Sequence, residues 1–154
     1  MYKTLTINGT DYKLEYSIEA SLYRDCIDKV SGMLFNVVSG QASKEMQPII
    51  SAMSDIPTTA ITVFYAGLLE HHGVDGDNSV PNIGAAKKLA VSILRDNDND
   101  VKNWYDLLVI CMDQMGEDGF FDLVGLSEIL NTEESPVPKK KATRKRTVKE
   151  VSET

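Results

Sequence analysis

Two acidic runs are the residues of this chain best suited to holding an ion: Asp75-Gly76-Asp77-Asn78 and Asp96-Asn97-Asp98-Asn99-Asp100. Alternating carboxylates are what a twelve-residue calcium loop uses, with glycine at its sixth position for the turn and a bidentate glutamate at its twelfth. Counted from Asp75 those positions are Val80 and Ala86, and counted from Asp96 they are Val101 and Leu107. Both runs are therefore expected to be solvated loops whose Asp and Asn side chains cap helices. The only histidines, His71 and His72, are adjacent, so on a helix they point about 100° apart and cannot share an ion as an i, i+4 pair does. A helix-end role is expected for them, an imidazolium meeting the last free carbonyls. No nucleophile elbow, glycine-rich phosphate loop or Cys/His ligand set is present. No catalytic, cofactor-binding or metal-ligating residue is expected, and the chain reads as a non-enzyme.

The aromatic and apolar residues are then the functional candidates. Trp104, Tyr105, Leu108, Phe120 and Phe121 are the candidate partner-binding residues, because large aromatic side chains dominate interface energetics. Core packing is the commoner fate of such residues. The segment that positions the first three has Val101, Trp104, Leu108, Cys111 and Met115 on one helical face. Tyr105, Leu107, Val109, Ile110 and Met112 make it apolar nearly all round, which fits a central or interfacial helix. Gly116-Glu117-Asp118-Gly119 breaks it, and Phe120 to Leu130 forms a last short apolar segment.

The best-patterned stretch is Ile56 to Leu94. Ile61, Phe64, Tyr65, Leu68, Leu69 and His72 recur at i, i+3, i+4, i+7, i+8 and i+11, one face of a helix. Pro57 precedes it, Thr58 or Thr59 is the expected N-cap, and Gly73 stands where a left-handed C-cap usually lies. Ile83, Ala86, Leu89, Ala90, Ile93 and Leu94 repeat the spacing, so the two helices are expected to cover each other. Upstream, Tyr2 to Ile7 and Tyr12 to Tyr16 alternate in the period of a strand, and Asn8-Gly9 supplies the positive φ angles of a tight hairpin turn. An isolated hairpin is marginal in water, so its Leu5, Ile7, Tyr12 and Leu14 side should lie on the helices. Ser17 is the expected cap of a helix whose face runs Ile18, Leu22, Cys26 and Val30 and which ends or weakens at Gly32. Residues 36–43 read as a loop. A short helix from about Ser43 presents Met46, Ile49, Ile50 and Met53, with Pro48 tolerable only in its first turn.

The expected fold is mainly α with an N-terminal β-hairpin, a small bundle of about five helices. Sixteen Lys and Arg face twenty-three Asp and Glu; seven of the former and four of the latter lie in 132–154, leaving nine against nineteen in 1–131. The body is acidic, net −10, and the tail basic, net +3. Residues 1–131 form the expected domain, and 132–154, where apolar periodicity stops, a disordered basic tail. Nucleic acid is not an expected partner of the body, since phosphate contacts require clustered Lys and Arg. Cys26 and Cys111 lie far apart in apolar helical patterns and read as buried small hydrophobes of a reducing compartment. With no apolar h-region at Met1 to Ile7 and no run of the roughly 18 apolar residues a membrane span needs, no signal peptide or membrane partner is expected.

Three stretches together, the Leu5-Thr-Ile-Asn-Gly-Thr-Asp-Tyr-Lys-Leu-Glu-Tyr16 hairpin, Phe64-Tyr-Ala-Gly-Leu-Leu-Glu-His-His-Gly73 and Ala85-Ala-Lys-Lys-Leu89, resemble the tail assembly chaperones of long, non-contractile-tailed bacteriophages. The similarity runs over most of residues 1–131, and its motifs are structural, so it carries over no active-site residue. It implies a non-enzymatic late protein of the host cytoplasm, absent from the mature virion. Such a protein keeps the long helical tape measure protein soluble until the tail tube assembles around it. It also implies a short form of a pair whose longer, frameshifted product recruits the major tail protein, with the codons of Lys139 to Lys141 as a candidate slippery stretch. Self-association through 101–115 or 120–130 is expected to add avidity along an extended client. The alternatives are a small adaptor or regulatory protein acting through its basic tail, or a structural tail completion subunit.

Overall fold

The computed structural model describes residues 1–43 and 46–128. The expected disordered tail, 132–154, lies outside them, as do Ile129 and Leu130. The chain is mainly helical behind an N-terminal antiparallel hairpin, β1 (Lys3–Ile7) and β2 (Thr10–Leu14). Asn8 and Gly9 make the turn with φ of 54° and 80°, the geometry that matches the right-handed twist of the two strands. Leu5 pairs with Tyr12 and Lys3 with Leu14. This register puts Ile7 and Leu14 in the core, with Leu5 and Tyr12 half-buried beside them, so the apolar side lies on the helices.

Seven helices follow: α1 (Ile18–Ser21), α2 (Arg24–Ser43), α3 (Gln47–Ser54), α4 (Ile56–His72), α5 (Ile83–Arg95), α6 (Trp104–Glu117) and α7 (Phe120–Leu123). Residues 126–128 form one more helical turn. The helix expected after Ser17 is broken at Leu22 and Tyr23. Ser17 makes no side-chain cap, its hydroxyl donating instead to Glu70 Oε1 across on α4. Ile18 and Leu22 are exposed, while Cys26 and Val30 keep their expected place in the core. Gly32 does not end α2, and the loop expected over 36–43 is helical as far as Ser43. An interior glycine costs a helix about 1 kcal/mol, which packing of α2 on both α3 and α4 outweighs. Pro48 falls in the first turn of α3, where no helix hydrogen bond needs its missing N–H.

α4 is the central helix. It packs on α6, α5, α2, α1 and β2, and it is buried on almost every side. Val63, Phe64 and Leu68 supply bulk, whereas Thr59, Ala60, Ala66 and Gly67 let neighbouring elements come close. Its N-cap is Asp55, with Pro57 inside the first turn; Thr59, an expected cap, is a buried helical residue. Gly73 is extended, at φ −75° and ψ −171°, not left-handed. Its missing side chain matters because a Cβ there would lie 2.7 Å from the Leu69 carbonyl oxygen.

α5 buries Ala86, Ala90 and Ile93, with Leu89 and Leu94 half-buried, whereas Ile83, expected on the same face, is exposed at the start of the helix; Asn82 caps it by accepting from the Ala85 N–H. The α6 cap is Asn103, accepting from the Asp106 N–H at 2.8 Å, not a residue of the 96–100 run. At the centre of the core Tyr16 is fully buried, its hydroxyl donating to Val63 O at 2.7 Å and its ring meeting the edge of Phe120 at 5.8 Å. Cys26 and Cys111 are free and buried, and burial pushes both thiols up to about 12. At that value they stay protonated and unreactive.

Candidate interaction surface

The polar residues that looked most chemical are spent on joining the hairpin to α4. Lys13 N–H donates to His72 Nε2 at 2.8 Å, which puts the ring proton on Nδ1, where it faces Asp77 Oδ2 at 3.1 Å and Ser79 Oγ at 3.0 Å. The ring of Tyr12 meets that imidazole at 5.2 Å. His72 is thus a nearly buried acceptor for a strand N–H, not the imidazolium at free helix carbonyls that its position predicts. His71 turns to Glu15, just past the end of β2, its Nε2 lying 2.7 Å from Glu15 Oε1. That hydrogen bond, aided by the amino terminus, holds the Glu15 carboxyl below its ordinary range against the opposing effect of burial. The strand edge closes further along, where Glu15 N–H donates to Gly67 O at 2.9 Å and Tyr16 N–H to Asp118 Oδ2 at 2.8 Å. Asp118, with a side chain only 3% exposed, also accepts from Gln114 Nε2.

The acidic loops likewise cap their own backbone. Asp77 accepts from both the Ser79 hydroxyl and the Ser79 N–H, which lowers its pKa. Asp96 accepts from Asp98 N–H, and Asn99 bridges Ile93 O and Val101 N–H. Among the described residues no three His, Cys, Asp or Glu side chains group as a metal-ligating set, and no helix is long and apolar enough to cross a membrane.

Apolar side chains are left partly uncovered along the flank of α6. An open groove of about 380 Å³ runs between α6, which contributes Tyr105, Leu108, Val109, Met112 and Asp113, and a facing wall of Met33, Ala52, Met53 and Ile56. Leu108 and Ala52 are buried in its floor, whereas Tyr105 is 58% and Met53 62% exposed. Beyond Met53, the α3 stripe continues through exposed Ile50 to exposed Met46 just ahead of the helix, at i, i+4 and i+7. Asp113 makes no hydrogen bond or ion pair among the described residues. Asp113 also lines a neighbouring hollow of about 290 Å³ with Tyr2, Lys3 and Glu117.

Of the aromatic candidates, the fold brings Tyr105 and Leu108 to the groove and sends the others elsewhere. Trp104 is half-buried against the core. Phe120 is completely buried on Tyr16, so it is a core residue and not the surface anchor that its pairing with Phe121 suggests. Phe121 stacks edge-on against Phe120 at 6.3 Å. Met33, Met53, Val109, Met112 and Asp113 were not among the candidates. Their signal was present: a stripe of Met46, Ile50 and Met53 on a short helix, and a longer helix apolar all round, describe two walls with nothing between them. No family model matches the chain, and no curated protein or solved structure is significantly similar to it.

Proposed function

We propose that this chain is a tail assembly chaperone of a long, non-contractile-tailed bacteriophage, which binds the helical tape measure protein and keeps it soluble until the tail tube encloses it. The observation that carries the reading is the open apolar groove between α3 and α6 on an otherwise acidic body. A chain that must cover the apolar stripes of another polypeptide, and stay soluble itself, needs a patch of that kind surrounded by charge of one sign. The side-chain hydrogen bonds at His71, His72, Asp77 and Asp96 support the same reading, since those residues are used in holding the fold together. The sequence resemblance of the hairpin, the Phe64 to Gly73 helix end and Ala85 to Leu89 supplies the identity of the client.

Co-expression with the tape measure protein of the same phage tests the proposal. The client should move from the insoluble to the soluble fraction and copurify with this chain. A client that stays insoluble, with this chain folded and abundant, would sink the reading. Mass spectrometry of purified particles separates it from a tail completion subunit: the chaperone should be missing from them. The frameshifted longer form should appear as a minor product whose sequence diverges near Lys139 to Lys141.

A further inference from the structure

We infer that the groove between α3 and α6 receives an amphipathic helix carrying a basic residue beside its apolar stripe, the Lys or Arg pairing with Asp113. The inference rests on the chaperone reading only for the helical nature of the client. Three observations select this occupant. First, Tyr105, Val109 and Met112 stand at i, i+4 and i+7 on α6, and on the other side Met53 lines the groove and begins an exposed stripe that runs back through Ile50 and Met46 at the same spacing. Such ridges are what a helix beds against, its own rows of side chains entering the grooves between theirs. Second, Asp113 stands one turn beyond Val109 on the same face and makes no hydrogen bond or ion pair among the described residues, so a cation on the occupant gains a charge-assisted hydrogen bond that an uncharged helix does not. The net charge of −10 over residues 1–131 favours a basic occupant and opposes a second copy, whose own acidic surface would be brought up against this one.

Third, three of the six methionines, Met33, Met53 and Met112, line this groove. Unbranched, polarizable thioethers repack around side chains of different shape, which is how one surface accepts many helices. The groove therefore reads stripe and charge and tolerates the details. A long client presenting successive, non-identical helical segments is suited to such a site.

The test uses the full chain and two designed helical peptides with leucines at i, i+3, i+4 and i+7. One has Lys and the other Glu at the position flanking the stripe, and binding is followed by fluorescence anisotropy. The Lys peptide should bind about 10-fold tighter than the Glu peptide, the ratio expected of one charge-assisted contact. Asp113→Lys should invert the preference, and Val109→Asp should abolish binding of both peptides with the helical circular dichroism unchanged. Equal binding of the two peptides, or an Asp113→Lys chain that keeps the original preference, overturns the proposal. So does a fall in solution mass in Val109→Asp, which would show a second copy in the groove. The two readings fail separately. If Val109→Asp still keeps the tape measure protein soluble, the groove is not the client site and the chaperone reading stands on another surface. If the peptides bind with the predicted preference while the tape measure protein gains no solubility, the groove assignment holds and the chaperone reading falls.

Discussion

Under the hairpin, Leu14 and Tyr16 press so closely on α4 that a Cβ added at Gly67 would lie 2.4 Å from Leu14 Cδ1 and 2.7 Å from the Tyr16 ring. Between α3 and α6, residues of the same apolar classes leave about 380 Å³ unfilled. The difference lies in what surrounds the apolar side chains. On the closed side, each strand N–H from Lys13 to Tyr16 that faces α4 or α6 has a fixed acceptor, be it His72, Gly67 O or Asp118. These bonds hold a small residue opposite a large one. On the open side the lining includes the unbranched side chains of Met33, Met53 and Met112, and Asp113, its one charged residue, makes no hydrogen bond or ion pair among the described residues.

Four measurements break or sharpen that contrast. Phe120→Ala removes a fully buried ring from the closed side and should cost about 3 to 5 kcal/mol, read from urea unfolding midpoints. A loss below about 1 kcal/mol would mean that side is not close-packed. Gly67→Ala should cost about 2 kcal/mol, because overpacking outweighs the roughly 1 kcal/mol an alanine gains in a helix. Stabilisation by that variant would contradict the tight crossing of hairpin and helix.

Glu15 gives a smaller, pH-dependent effect. Its carboxyl titrates lower in the folded chain than in the unfolded one, so its contribution is fully present above the ordinary carboxylate range and disappears as pH falls through the folded value. With partial exposure the size should stay below about 1 kcal/mol. The stability gap between the native chain and Glu15→Gln should close on acidification; a gap that widens in acid would reverse the assignment. The smallest effect belongs to the open side. Val109→Asp should change stability by no more than about 0.5 kcal/mol, since its side chain already meets water. A large drop there would show that the groove is part of the core.

The hairpin was legible because Asn8-Gly9 and the alternation around it leave few other conformations. The α5 face was legible from its spacing. What sequence reasoning missed depends on partners remote in the chain. Lys13 meets His72 and Tyr16 meets Asp118, and nothing local to either residue announces the other. That α4 belongs to the organising stretch was legible from its spacing, but its burial on almost every side was not, because four of its nine buried residues, Thr59, Ala60, Ala66 and Gly67, are ones that a search for large apolar side chains passes over. The loop expected over 36–43 followed from Gly40 and polar residues, whereas packing on α3 and α4 carries α2 through it. At the groove the error ran the other way: Met46, Ile50 and Met53 have a core-like spacing and are exposed.

The contacts of the hairpin also bear on the order in which the protein is made. Tyr16 must wait for Asp118, 102 residues downstream, and the Met1 carbonyl for Gln114, 113 residues downstream, before either bond can form. Translation adds roughly 5 to 20 residues per second, so the strands, first to leave the ribosome, spend several seconds with their greasy side uncovered. A high contact order of this kind slows folding and exposes nascent chains to aggregation. Attaching the hairpin after α6 by circular permutation should therefore shorten the refolding time measured by stopped-flow, at the loss of the ion pairs that the free amino terminus makes with Glu15 and Asp118.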